Sequence, residues 1–286
     1  MSRIHPLLIG IALSSFSIAA SASEPSADKS AYTLFNRTPE SQLRDLSTDR
    51  PDLTESPYTV DAGWMQLEMD LVALTHEHDK SGGADVEASE FSVANVNFKL
   101  GLTSRIDLQT VFSTYTRVRV SDHVAGVSET ISGFGDITSR LKINLWGNDG
   151  GKTAFGLMPF VKWPANQHGL GNKSVEGGLI VPLAVDLGNG WGLGAMTELD
   201  LVRNAADTGY RVDWVNTVTV GHDIAGNLGG YLELASSLTE GRDLATFDCG
   251  LNYGVSRHTQ LDAGVNFGLT RATEDYTVFA GISIRF

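Results

Sequence analysis

The sequence predicts an all-β fold: a transmembrane antiparallel up-and-down β-barrel of about 12 strands, preceded by a signal peptide and a short N-terminal segment. Three observations lead there. Apolar and polar residues alternate from Trp64 to the final Phe286, the period of a strand with one greasy face. The connections between these stretches are short at one end and longer at the other, the arrangement of outer-membrane barrels with short periplasmic turns and longer external loops. The chain opens with an export signature, and no later stretch has the ~18 consecutive apolar residues of a spanning helix.

Composition narrows the class. The 286 residues are 42% hydrophobic and 19% charged, too apolar and too weakly charged for a disordered chain. With 34 acidic against 21 basic side chains the net charge is −13, so no nucleic-acid partner is expected. A single cysteine, Cys249, excludes an intramolecular disulfide framework. The 31 glycines and 8 prolines suit tight turns between strands better than helices.

The elements follow in order. Arg3, an apolar run over 7–18 and the small residues Ala19, Ala20, Ser21 and Ala22 read as a signal peptide over 1–22, too short for a comfortable membrane anchor. Residues 23–63 form a polar, proline-containing N-terminal segment with no sustained period. The barrel occupies 64–286. Its first strand sets Met65, Leu67, Met69, Leu71 and Ala73 against Gln66, Glu68 and Asp70. The second sets Ala94, Val96, Phe98 and Leu100 against Asn95, Asn97 and Lys99. The third places Leu108, Phe112, Val118 and Val120 opposite Asp107, Gln109, Arg117 and Arg119, and the fourth Leu141 and Ile143 opposite Arg140 and Lys142. Eight more strands are expected near 153–163, 179–187, 191–201, 210–220, 228–236, 247–255, 261–269 and 276–286. Long external loops are expected over 76–90, 121–135 and 164–174. Trp191, Tyr253 and Phe286 at the short-turn ends, with Trp163, Tyr210 and Tyr276 at the others, suit two interfacial girdles.

With the apolar faces toward outer-membrane lipid, the polar faces line the lumen. The lining candidates are Asp70, Asp107, Arg117, Arg119, Arg140, Lys142, Glu198, Asp200, Arg211, Asp213, Glu233, Asp248 and Asp262, charges tolerated where water and opposite charges surround them. Twelve strands lie between barrels filled by side chains and barrels that leave a channel. Three arrangements of residues 31–63 are consistent with their charges: a constriction or plug folded into the lumen, an ordered periplasmic lead beneath the barrel, or a floppy tail. The final strand, ending in Phe286 with apolar residues at alternate positions, matches the signature read by the bacterial barrel assembly machinery.

Other chemistry has little support. His123 with Ser121 or Ser128 lacks a third orienting group for a nucleophile. The run from His76 to Asp79 reads as a solvated loop tip rather than a metal site. Residues 133–136, Gly-Phe-Gly-Asp, lack the strand-then-helix setting of a phosphate loop. No catalytic residue, metal or cofactor is expected, and no energy-coupling motif is visible.

The segment from Ser47 to Glu68, with Asp49, Arg50, Pro51, Asp52, Thr54, Glu55 and Pro57 at its centre, resembles the opening motif of the outer-membrane transporter family named for the meta pathway of phenol degradation. Residues 101–108, 133–136 and 159–162 resemble further segments of that family. The resemblance implies the outer membrane of a Gram-negative bacterium and passage of small organic compounds, aromatic or hydrophobic ones among them, without implying phenol itself. The expected function is therefore a passive channel, and the alternative is a non-conducting structural or adhesion barrel.

Overall fold

The computed structural model describes residues 28–204, 208–239 and 242–286; the expected signal peptide over 1–22 lies outside them. The strands are β1 (Met65–Asp79), β2 (Val86–Thr103), β3 (Ile106–Asp122), β4 (Val127–Gly133), β5 (Ile137–Trp146), β6 (Thr153–Trp163), β7 (Glu176–Gly188), β8 (Trp191–Arg203), β9 (Tyr210–Ala225), β10 (Leu228–Thr239), β11 (Arg242–Ser256), β12 (Thr259–Gly268) and β13 (Tyr276–Arg285). Every pairing is antiparallel, and β13 pairs with β1, which closes the sheet. The short β4 and the following β5 both pair with β3, at its outer and inner halves. Together they form one stave, so the barrel has twelve. Closure pairs the staves around the ring and leaves no open seam between them for lipid; β4, at the outer rim, pairs on one side only, with β3.

The strands tilt. The cross-strand row that leaves Phe286 at the periplasmic rim passes Leu100, Leu141, Leu179 and Trp214 and reaches Leu238 near the outer end of β10. Periplasmic turns are tight. Asn189 and Gly190 both have positive φ, 54° and 77°, as a two-residue hairpin turn matched to strand twist requires. On the outer side, the expected loops over 76–90 and 121–135 are largely strand: β1 runs to Asp79, β2 starts at Val86, and β4 fills 127–133. The β1–β4 corner therefore stands above the rest of the rim.

A crease crosses this corner. β1 shifts register against β13 between Asp70 and Val72, Ala94 of β2 has a φ of 51°, and residues 134–136 break the stave opposite the middle of β3. Above the crease the alternation of faces is offset by one residue. Leu74, Phe91 and Arg117 share a row with the outward Val278, and His76, Ser89 and Arg119 share the next with Tyr276. Arg117 and Arg119, expected in the lumen, therefore face outward, while Val118 and Val120 take the inner face; Ala73, expected outside, faces inward beside Ser92. A period of two cannot register a bulge that flips it.

Candidate functional site: a charged septum across the lumen

The inner wall is electrically lopsided. Lys99 of β2, with Arg140 and Lys142 of β5, stands on one side, and Glu198, Glu233, Asp248 and Asp262 of β8, β10, β11 and β12 stand on the other. Between them, residues 48–57 cross the interior without regular secondary structure, so their backbone groups need partners from the wall.

They find them. The Lys142 ammonium donates to Asp49 Oδ1 and Oδ2 at 2.6 and 2.7 Å, and Lys99 bonds both Asp49 and Glu68. The Asp49 amide donates to Glu68 Oε2 at 3.1 Å, and the Ser56 amide and hydroxyl donate to Asp49 Oδ1 at 2.9 and 2.7 Å. Arg50 points the other way, donating to Asp70 Oδ1 at 2.5 Å and to Asp262 at 2.6 and 3.2 Å. Gly281 makes room for it: a Cβ there would lie 2.1 Å from an Arg50 nitrogen. The amides of Leu53 and Thr54 each donate to Glu233 at 2.8 Å, Arg140 donates to Glu55 at 2.5 Å, and Asn144 donates to the Pro57 carbonyl at 2.9 Å. The Pro51 carbonyl accepts from the Tyr231 hydroxyl at 3.4 Å.

Asp49 and Glu55 reach the basic side and Arg50 the acidic side, whereas Asp52 lies beside Glu233. Burial alone would raise the Asp49 pKa, but Lys142 and Lys99 outweigh it and hold the carboxyl well below its usual range. Partial burial and then the Glu233 carboxylate push Asp52 up to about 8. Burial, then Asp49, raise Glu55 to about 7 against the pull of Arg140.

The residues on either side seat this crossing on the periplasmic rim. Arg44 pairs with Asp149 at 2.8 Å, its carbonyl accepts from Arg285 at 2.9 Å, and the Val60 amide donates to Asp107 at 2.9 Å. Gly101 lies against the segment, where a Cβ would meet the Asp61 carbonyl oxygen at 2.1 Å.

Cavities lie on both sides. A periplasmic one of about 550 Å³ runs between Tyr58 and Tyr231, and two outer ones of about 440 Å³ each border Met196 and Phe279. Asp52 and Glu55 line all three, so residues 50–55 are the partition. One outer cavity has an apolar flank of Leu53, Met196, Val215 and Leu244. Met196 belongs to a buried cluster with Met158 and Ile180, against which Phe160 packs.

Of the expected lining residues, Asp70, Asp107, Arg140, Lys142, Glu233 and Asp262 contact residues 49–60 directly. Glu198, Asp200, Asp248 and the Arg211–Asp213 pair, 2.8 Å apart, lie on the inner face outside that contact. Arg117 and Arg119 lie outside the lumen altogether. Lys99 and Glu68, absent from the expected set, are central, although their parity with Asn97 and Gln66 marked them.

The family model described as "Putative MetA-pathway of phenol degradation" matches residues 48–286, from the septum to the last strand. Among solved structures, an outer membrane channel from Pseudomonas putida F1 is similar at 15% identity, over 84% of this chain and 100% of that one, with a TM-score of 0.57. The CymD monoaromatic hydrocarbon channel (10%, 77% and 87%, TM-score 0.46) and the toluene transporter TbuX of Ralstonia pickettii (10%, 77% and 88%, TM-score 0.44) are more distant. No curated protein matches the chain. A closed twelve-stave barrel with a lipid-facing apolar exterior, matched by that family model over most of its length, makes the chain an outer-membrane β-barrel of the phenol-degradation meta-pathway family.

Proposed function

We propose that this protein is a passive channel for small organic solutes of hydrophobic or aromatic character, and that residues 48–57 close it at rest. The observation that carries the reading is the septum itself: a polar strap held by ion pairs to opposite walls, with cavities on either side. A segment held by charge pairs with water-filled space nearby can be displaced more easily than one packed into an apolar core, because water replaces the lost partners. The flank of Leu53, Met196, Val215 and Leu244 offers a foothold for an apolar solute in an otherwise polar interior. The names of similar channels, for monoaromatic hydrocarbons and toluene, agree with that solute class. The inner-face charges serve as lining groups in this reading, and the mechanism needs no catalytic residue, metal or cofactor.

Residues 1–22 are proposed to direct export. The outward Ile282, Ile284 and Phe286 of the last strand are proposed to engage the barrel assembly machinery.

The test is uptake of toluene and of a similarly sized sugar by proteoliposomes, alongside planar-bilayer recordings. Toluene entry faster than in protein-free vesicles supports the channel. Silence of correctly folded protein in both assays would discard it in favour of a structural barrel.

A further inference from the structure

The crease that moves Arg117 and Arg119 to the outside also builds a surface the channel reading does not use. On the outer face of β13, β1, β2 and β3 there is a cleft of about 490 Å³. Its lower wall is apolar, formed by Leu74, Phe91 and Val278; its upper rim carries Arg117, Arg119 and His76. Its height in the membrane follows from β13. Phe286 and Tyr276 are ten residues apart, about 34 Å along the strand and about 26 Å after tilt, the height of the apolar band of such barrels. Tyr276 thus marks the outer boundary. The cross-strand row climbs from β13 to β3, so Arg119, on Tyr276's row, lies in the head-group layer. Arg117, about 7 Å lower along the strand, lies at its base, next above the outward Tyr115.

Two guanidinium groups facing a lipid surface need anionic partners or water. The carboxylates above the cleft, Glu87 and Asp85, lie against histidines, with His78 2.7 Å from Asp85. Arg119 donates to the Ser128 hydroxyl at 3.3 Å, and the nearest carboxylate to His76 is Glu87 at 3.9 Å, which also faces His123 at 3.3 Å. Glu90 borders the cleft from β2, on the row of the inward Thr75. An acyl chain below and a phosphate above is the occupant whose chemistry fits both walls at once: arginine forks match phosphate oxygens, and the apolar floor matches a hydrocarbon chain.

We propose that this cleft binds one phosphorylated glycolipid of the outer leaflet, its phosphate between Arg117 and Arg119 and its acyl chain along Leu74, Phe91 and Val278. The test uses the full folded protein in detergent, with native mass spectrometry and thermal unfolding as readouts. The probes are a bis-phosphorylated lipid A-type glycolipid, phosphatidylcholine and inorganic phosphate. Wild type should retain one glycolipid and gain thermal stability from it. R117Q and R119Q should each weaken binding about tenfold, with single-channel behaviour in phosphatidylcholine bilayers unchanged. Equal glycolipid retention by the R117Q/R119Q double variant would overturn the proposal. Equal retention of phosphatidylcholine would reduce the cleft to a greasy groove, and full competition by millimolar inorganic phosphate would make it a free-oxyanion site; either result overturns it too.

Discussion

Lys142 and Lys99 share one carboxylate, and that triad fixes the strap to the basic wall. Removing one member of a buried ionic cluster leaves the rest underpaired, at a cost of about 3–5 kcal/mol. Lys142→Met is therefore expected to free the strap while the barrel stays closed. Conductance should rise, and hydrogen exchange at the amides of Asp49, Leu53, Thr54 and Ser56 should accelerate; unchanged protection there would contradict the assignment. Gly281→Val should act from the opposite wall, because its side chain would occupy the space of the Arg50 guanidinium and leave Asp70 and Asp262 unpaired. Asp52 adds a pH response. Its folded-state pKa, about 8, lies above the ordinary carboxylate value, so the docked strap binds a proton more tightly than the free one. Docking should weaken as pH rises from about 4 through about 8, and ionised Asp52 then repels Glu233. Conductance should increase between pH 6 and pH 9 in wild type, and Asp52→Asn should reduce that dependence to the part contributed by Glu55, itself raised to about 7.

The strap and the crease both depart from regular barrel geometry. A chain lacking residues 31–57 should insert, show heat-modifiable gel migration and conduct in larger single-channel steps. Folded protein with unchanged steps would mean that the strap does not limit the pore. At the crease, Ala94 holds a left-handed conformation that disfavours side chains by about 1–2 kcal/mol. Ala94→Gly should raise the urea midpoint of unfolding from lipid, and Ala94→Val should lower it. The opposite order would mean that packing, rather than backbone strain, governs this position.

Among the described residues, the inner face of the barrel carries more acid than base. Glu68, Asp70, Glu90, Asp107, Glu176, Glu198, Asp200, Asp213, Glu233, Asp248 and Asp262 face Lys99, Arg140, Lys142, Lys162, Arg211 and Arg285. The strap offsets part of this with Arg50, while its Asp49 pairs with Lys99 and Lys142 and its Glu55 with Arg140. Opening it should therefore leave a cation-preferring pore. The chain lacking 31–57 should give a reversal potential of cationic sign in a KCl gradient, and an anionic sign would show that the lysine side dominates the permeation path.

Much of this architecture was legible in the chain itself. Alternation from Trp64 to Phe286 determined twelve of the strands, though not β4 or the outer ends of β1 and β2, and, below the crease, which residues face lipid, because a strand with one side in hydrocarbon cannot hide its period. The same parity pointed to Asp107, Lys142, Glu233 and Asp262 as inner groups. Where the faces exchange, as at Arg117 and Arg119, was not legible: a bulge at Leu71 and a left-handed Ala94 leave composition unchanged while reversing every side chain beyond them. Nor was the strap's path, since residues 48–57 carry no period and their position depends on partners up to 212 residues away, as for Arg50 and Asp262. Local pattern determines which way a strand faces water; only closure of the ring decides which distant charges meet inside it.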